Sequence, residues 1–408
     1  MKDGEYDIVV LGNSYAGHLA SIEAGKRGFK VLHHAGRVGA PLLSDQQLER
    51  ELFFRLPLHA LQQPIASPPF SRLNTHREAL VQSMARLESE LTTLKIKHQV
   101  QTIQADLIWE PANTFQLDET GGSSRIKARG IILVPSFSQS RDGFCLSRID
   151  HSASELNVVG TALHQLEVTA FLEKFGFNVN CAESECRAKA LDPFFAQRLG
   201  RSAPTNAPHV LTIKKSESGT PLFFLSGVAG IPEACTGFQR DSYLESRMSG
   251  IFIIGAPHLE RFTVERLAAE ARAVVHNLAL QLNNLVHTVG EVKTLPLLQI
   301  DPFAYPEVHW TNPLSASVGY TVEEAEARGF RVKIKTAQHP ELLLGRPWLL
   351  ETSSEMQFIA DEETGCLHGV SVVGAHAEEI ANYYRWRLSS TPAPVSHIDN
   401  DVAFTGLL

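Results

Sequence analysis

Asp7-Ile8-Val9-Val10-Leu11-Gly12-Asn13-Ser14-Tyr15-Ala16-Gly17 begins the first recognisable unit of the chain. Ile8-Val9-Val10-Leu11 is an unbroken apolar run, the pattern of a parallel strand covered on both faces. Residues 12–17 form a turn, 19–26 a short helix that stops near Gly28, and Lys30-Val31-Leu32-His33 a second strand. Strand, glycine-bearing turn, helix and strand over 7–34 make a βαβ unit. In such a unit the helix N-terminus offers N–H groups and a partial positive charge to a phosphate. Residues 157–183 repeat the plan. Asn157-Val158-Val159 is a strand, 160–165 the turn, 166–175 the helix, Gly176 its stop and 178–181 the next strand, with Glu183 at its end.

Between the two units, 44–94 reads as mainly helical around a Pro-rich break at 64–69. Leu80, Met84, Leu87 and Leu91 recur at a helical period. Residues 100–117 alternate like a strand, Gly121-Gly122 marks a turn, and 130–134 is another buried strand. After the second unit, 250–255 is a buried strand, followed by a long amphipathic helix over 264–285 with the stripe Leu267, Ala271, Val274, Val275 and Leu278. Residues 300–390 read as an α+β module, with a helix at 323–328 and a turn at Glu363-Thr364-Gly365. His339-Pro340-Glu341 reads as a turn.

The totals narrow the function classes. With 408 residues the chain exceeds one core, so two or three domains are expected. A net charge of −8 argues against a nucleic-acid binder, which needs a basic stripe to neutralise phosphates. No apolar run approaches 18 residues, so no membrane span is expected and the cytosol is the default location. Five cysteines, an odd number, suit reduced thiols. The seventeen histidines show no metal-ligand spacing, so no metal is expected.

The order of parts resembles the flavoprotein pyridine nucleotide–disulfide oxidoreductases, the dihydrolipoamide dehydrogenase and glutathione reductase group. Trp310-Thr311-Asn312-Pro313-Leu314-Ser315-Ala316-Ser317-Val318-Gly319-Tyr320-Thr321-Val322-Glu323-Glu324-Ala325 is similar to that family's "TDPExASVGLTExEA". Asp361-Glu362-Glu363-Thr364-Gly365-Cys366-Leu367-His368-Gly369-Val370, continuing from Val373 to Ile380, is similar to its "D-x-x-T-x-x-I-L-G…G-x-x-A-x-E-x-I". The resemblance implies an α/β fold, with two Rossmann-like dinucleotide-binding domains plus a C-terminal α+β dimerisation domain. The implied parts are an FAD-type domain over 1–150 that returns at 246–290, an NAD-type domain at 151–245, a dimerisation domain at 295–390 and a tail at 391–408. It also implies a homodimer through 295–390, FAD and NAD as cofactors, and a small-molecule substrate of unknown identity.

Against that pattern the chemical parts depart. The family's first turn is G-x-G-x-x-G; here Gly12 and Gly17 remain and Ser14 takes the middle place. A serine Cβ narrows the approach to a pyrophosphate, and its hydroxyl is a potential donor to it. The family's ribose-binding acid is absent, because His33-His34-Ala35 ends the second strand. After Gly36-Arg37-Val38-Gly39, Leu42 and Gln47 stand at the paired-cysteine positions and Glu51 at a lysine position. Without sulfur, thiol–disulfide exchange has no route. The family's "ATG" is Val134-Pro135-Ser136 and its "GD" is Gly255-Ala256. Its "HPTxxE" acid–base pair is missing, with Ser396-His397-Ile398-Asp399-Asn400-Asp401 nearby at different spacing. The second turn keeps Gly160 but has Ala162 and Gln165, and Glu167 stands where the family often has a glutamate. Glu183, 23 residues after Gly160, suits the ribose hydroxyls of NAD and repels a 2′-phosphate.

The expected cofactor-binding residues are therefore Gly12, Ser14, Tyr15, Ala16, Gly17 and Gly255 for FAD, with Gly160 and Glu183 for NAD. No catalytic residue is assigned. Cys181 and Cys186 share the family's cysteine spacing but sit in the second unit, where a buried hydrophobe and a loop residue are the plainer reading. His33 and His34 read either as an anion or proton site or as one inward and one outward strand side chain. Two functions stay open. One is a divergent FAD/NAD(P)H oxidoreductase without a dithiol relay. The other is a pseudoenzyme or repurposed homodimer that binds FAD weakly or not at all.

Overall fold

The computed structural model describes residues 4–38, 46–55, 69–119, 122–138, 155–159, 162–181, 194–195, 210–212, 222–225, 228–235, 238–255, 263–284, 296–339, 354–374 and 376–390. The chain folds as two compact units. One draws on 1–57, 75–139 and 218–300, the other on 58–74, 140–217 and 301–408.

The first unit starts with β1 (Gly4–Leu11), α1 (Tyr15–Lys26) and β2 (Val31–His34). β1 and β2 are parallel, with Ile8 opposite Val31 and Leu11 opposite His34. The continuous apolar run in β1 is explained by its two faces. Ile8 and Val10 pack with Ala16, Ala20 and Ala24 of α1 in one core. Val9 and Leu11 face a second core with Leu107, Trp109, Phe115 and Ile131. Helices α2 (Gln46–Arg55) and α3 (Pro69–Lys97) flank the sequence break expected at 64–69. Leu48 and Leu91, one from each, pack with Ile22 of α1.

The expected single alternation over 100–117 resolves into three short strands, β3 (Gln101–Ile103), β4 (Leu107–Glu110) and β5 (Thr114–Glu119). Ala112 and Asn113 adopt positive φ, which turns β4 back antiparallel onto β5. Next come β6 (Gly122–Leu133) and β7 (Ser136–Ser138). β6 pairs antiparallel with β5 at its start and parallel with β1 along its length.

Residues of the second βαβ unit form β8 (Glu155–Val159), α4 (Ala162–Phe175), β9 (Asn178–Cys181) and β10 (Val210–Thr212), an all-parallel sheet in the order β10-β8-β9. Gly176, at φ +91°, ends α4 as its position suggests. The helix starts at Ala162 rather than 166, so Ala162 and Gln165 are helical and not part of the turn. Once glycines are gone from that stretch, Ala-Leu-His-Gln has ordinary helix-forming propensity.

The chain re-enters the first unit with β11 (Leu222–Phe224), β12 (Val228–Ala229), β13 (Ile251–Ile253) and α5 (Val264–Asn284). Re-entry thus precedes residue 246, because β11 pairs β7 and β12 pairs β4. The large sheet runs β12-β4-β5-β6-β1-β2-β3, with β13 parallel to β6.

The last part is β14 (Glu307–His309), β15 (Ser315–Gly319), α6 (Val322–Ala327), β16 (Val332–His339), β17 (Ser354–Asp361), β18 (Leu367–Val373) and α7 (Ala377–Ser390). Its strands form an antiparallel sheet in the order β14-β15-β18-β17-β16. Thr321 and Glu324 close α6 with a capping box. Gly369 cannot carry a side chain, since a Cβ would lie 2.0 Å from the Tyr320 carbonyl oxygen. His339 ends β16 opposite Ser354, so it is a strand residue rather than a turn residue. At the expected turn, Asp361 Oδ1 accepts from the Glu363 and Thr364 N–H groups and the Thr364 hydroxyl. Those Thr364 bonds hold its carboxyl below the usual carboxylate range.

Candidate functional site at the carboxyl edge of the first sheet

Leu11 lies opposite both His34 and Leu133, and Leu133 opposite Ile253. The segments leaving β1, β2, β6 and β13 therefore emerge at one edge, the carboxyl edge where open parallel sheets bind ligands.

Gly12 has φ +130°, and a Cβ there would lie 2.1 Å from the Val134 carbonyl oxygen. A Cβ on Gly17 would lie 2.5 Å from the Gly12 carbonyl oxygen. Both glycines are thus demanded by the packing of the turn itself. Ser14 caps α1, its Oγ accepting the Gly17 N–H at 3.5 Å. Tyr15 begins α1 and is partly exposed, while Ala16 is fully buried in the apolar core. The first turn of α1 holds no acidic residue, so its partial positive charge is not cancelled locally.

Both histidines ending β2 point inward, against the reading of one in and one out. The strand has a core on each face, so alternate side chains are both fully buried. His33 Nε2 lies 2.8 Å from the Gly12 carbonyl oxygen. A carbonyl only accepts, so Nε2 carries the proton and Nδ1 is left as an acceptor. Lys95 Nζ donates to that Nδ1 at 3.2 Å. The His18 ring stands edge-on to His33, centroids 4.8 Å apart. Burial, with the nearby His18 and Lys95, pushes His33 well below its ordinary value, although its bond to Gly12 opposes this. Burial lowers Lys95 to about 8, against the pull of Glu88. His34 Nε2 donates to the Ala105 carbonyl oxygen at 2.7 Å, and its Nδ1 is buried with no hydrogen-bond partner among the described residues. Burial also lowers the His34 value.

At the end of β13 the Gly255 N–H donates to Glu270 Oε2 at 2.8 Å. Arg240 binds Glu270 through two 2.8 Å bonds and also donates to the Ile253 carbonyl oxygen. Arg266 Nε adds a 3.0 Å bond to the same carboxylate. All three side chains are buried. Burial alone would raise the Glu270 carboxyl, but the two arginines and Gly255 outweigh it and hold it low. Gly255, expected to face a flavin, is engaged inside the protein.

These residues fit the pyrophosphate part of FAD and not its ribose part. Turn glycines and a helix N-terminus with no acidic residue in its first turn are present. The ribose carboxylate is replaced by Ala35, fully buried with its N–H on the Ile103 carbonyl oxygen. For the second unit, Cys181 ends β9, but Gly160, Glu183 and Cys186 lie outside the described residues. So do Leu42, Ala256 and the 391–408 tail, while Gln47 lies in α2. Glu167 of α4 is fully buried, and its Oε1 accepts the Trp310 N–H at 3.2 Å. Among the described residues no group of three His, Cys, Asp or Glu is placed to hold a metal ion, and no helix is long and apolar enough to cross a membrane.

Lys95, Arg240, Arg266 and Glu270 were not singled out from sequence, although two carried a signal. Lys95 extends the Met84–Leu87–Leu91 stripe by one turn. Glu270 likewise falls between Leu267 and Ala271 on the apolar face of α5. A charge on a buried stripe needs a buried partner.

Comparison with known proteins matches this architecture. Residues 305–404 match the pyridine nucleotide-disulphide oxidoreductase dimerisation domain. Dihydrolipoamide dehydrogenase of Chaetomium thermophilum is 20% identical over 427 residues, covering 93% of this chain and 84% of that protein. Dihydrolipoyl dehydrogenase of Bacillus subtilis is 21% identical over 442 residues, covering 92% and 90%. The crystal structure of LpdA from Mycobacterium tuberculosis superposes with a TM-score of 0.62 at 16% identity, covering 98% of this chain and 97% of that one. The dimerisation-domain match and these relatives, on a fold with two Rossmann-like parts and a separate antiparallel sheet, indicate the pyridine nucleotide–disulfide oxidoreductase family.

Proposed function

We propose that this protein is a divergent flavin-type oxidoreductase that works without a dithiol relay. One observation carries the reading: the Gly12–Ser14–Gly17 turn and the N-terminus of α1 stand at the carboxyl edge of a parallel sheet, shaped for a pyrophosphate. When bound, FAD supplies the electron-carrying chemistry. The chain's own part is to hold the pyrophosphate at Gly12, Ser14, Tyr15 and Gly17. NAD is the proposed second cofactor, held by Gly160 and Glu183 beyond β8 and β9. A homodimer through 295–390 agrees with the dimerisation-domain match. The substrate is a small molecule.

A second reading rests on Ala35 and on the Gly255–Glu270 bond. It makes the chain a homodimeric scaffold that has given up the flavin. Absorbance of the purified protein separates the two. A yellow protein bleached anaerobically by NADH supports the first. A dimer that stays colourless after incubation with FAD sinks it.

A further inference from the structure

Beneath the first turn lies a chain of contacts that the proposed function does not use. Lys95 Nζ donates to His33 Nδ1, and His33 Nε2–H donates to the Gly12 carbonyl oxygen. Lys95 is 2% exposed and His33 fully buried, so water does not compete for either bond. A Cβ on Gly17 would lie 3.5 Å from His33 Nε2, so the imidazole also lines the back of the turn. Lysine comes from α3, imidazole from β2 and carbonyl from the loop after β1; the relay ties three elements at one point.

We infer that Lys95 and His33 are positioning residues for the first turn: they fix the Gly12 peptide and place a positive charge behind the site that receives a dinucleotide's phosphates. This rests on reading that turn as a pyrophosphate site. A neutral His33 of the Nε2–H tautomer passes the polarisation along without taking up a proton. Protonating its Nδ1 would set an N–H against the Lys95 ammonium. The other titratable groups facing the relay are His18 from α1, His34 beside it on β2, Glu88 on α3 and Asp106 beyond β3. Burial brings Lys95 to about 8, so its ammonium discharges just above neutral pH.

A unit charge roughly 10 Å away through protein changes the affinity for an anion by about tenfold. The full-length protein is titrated with FAD between about pH 7 and pH 9, a unit either side of the lysine's value of about 8. FAD binding should weaken about tenfold across that range. Lys95→Met should bind weakly at every pH, and Lys95→Arg, which keeps its charge, should bind tightly at every pH. A Lys95→Met protein with the wild-type profile overturns the proposal. A second readout needs no ligand. In ¹⁵N spectra His33 should stay neutral and Nε2-protonated well below the ordinary histidine value of about 6.5. A His33 that titrates normally, or carries its proton on Nδ1, overturns the relay whether or not FAD binds. Absence of FAD binding with the expected ¹⁵N pattern refutes the flavin reading and the phosphate role, and leaves the tautomer lock standing.

Discussion

Glu51 Oε1 accepts the Val264 N–H at 3.0 Å, so a carboxylate on α2 caps the first residue of α5. In the family resemblance this position carries a lysine beside the flavin. Here its charge is opposite, and it serves a helix end whose partial positive charge welcomes it. Glu51→Ala should cost about 1 kcal/mol. Calorimetry should show the melting temperature falling by about 2–4 °C. An unchanged melt would mean the cap contributes nothing.

Glu270 holds two buried arginines, and removing it takes the carboxylate from both. Glu270→Leu should destabilise the first unit by about 3–5 kcal/mol, measured by urea unfolding. Arg240→Met leaves Arg266 on the carboxylate and should cost less. The pH sign follows from the lowered carboxyl. Its contribution is complete above the ordinary glutamate value of about 4.5 and is lost as pH falls through the lower folded value. Glu270→Gln should remove that part of the acid slope.

His33 has a depressed folded value too, and the window differs. The unfolded imidazole takes a proton below about 6.5, whereas the folded one does not until lower pH. Stability should therefore decline from about pH 6.5 downward. His33→Gln, which cannot be protonated there, should flatten the fall in melting temperature just below about pH 6.5.

Gly17→Ala places a methyl 2.5 Å from the Gly12 carbonyl oxygen, and Gly12→Ala adds a positive-φ penalty to a 2.1 Å overlap. Each should cost more than about 1 kcal/mol, with Gly12→Ala the worse. Both effects should persist in protein stripped of any cofactor. A loss seen only in flavin-loaded protein would instead make the glycines ligand-driven.

Trp386 on α7 is 70% exposed, within the segment that matches a dimerisation domain. A large apolar ring at the surface suits an interface anchor, worth about 2 kcal/mol or more. Trp386→Glu should weaken self-association about thirtyfold or more in sedimentation velocity, with far-UV circular dichroism unchanged.

How much was readable depended on what each residue type does alone. Ile8-Val9-Val10-Leu11 announces a buried parallel strand, and Asp361 with Thr364 and Gly365 announces a turn, because those signals are local. The α4 start was misplaced because the turn was located by analogy with glycines that Ala162 and Gln165 no longer supply. Residues 100–117 alternate correctly, but the alternation runs past the turn in which Ala112, an ordinary strand or helix residue, takes positive φ beside Asn113. The Lys95–His33–Gly12 contact joins positions 95, 33 and 12, and no local pattern links them. Glu270 could be suspected from its place on an apolar stripe, but its pairing with Arg240 required the fold.

The position of β13 has a consequence for synthesis on the ribosome. Ile251–Ile253 pair with Ile131–Leu133, and about 120 residues lie between them. At ~5–20 residues per second, roughly ten seconds separate the emergence of these strands. For that interval the end of β6 is a nascent edge, apolar and unpaired on one side, and open to a neighbouring chain. The intervening 140–217 insert belongs to the other compact unit. Ser136–Ser138 pair with Leu222–Phe224, which closes the break only after the whole 140–217 stretch has been made, so a chain truncated inside that stretch should aggregate rather than merely lose a domain.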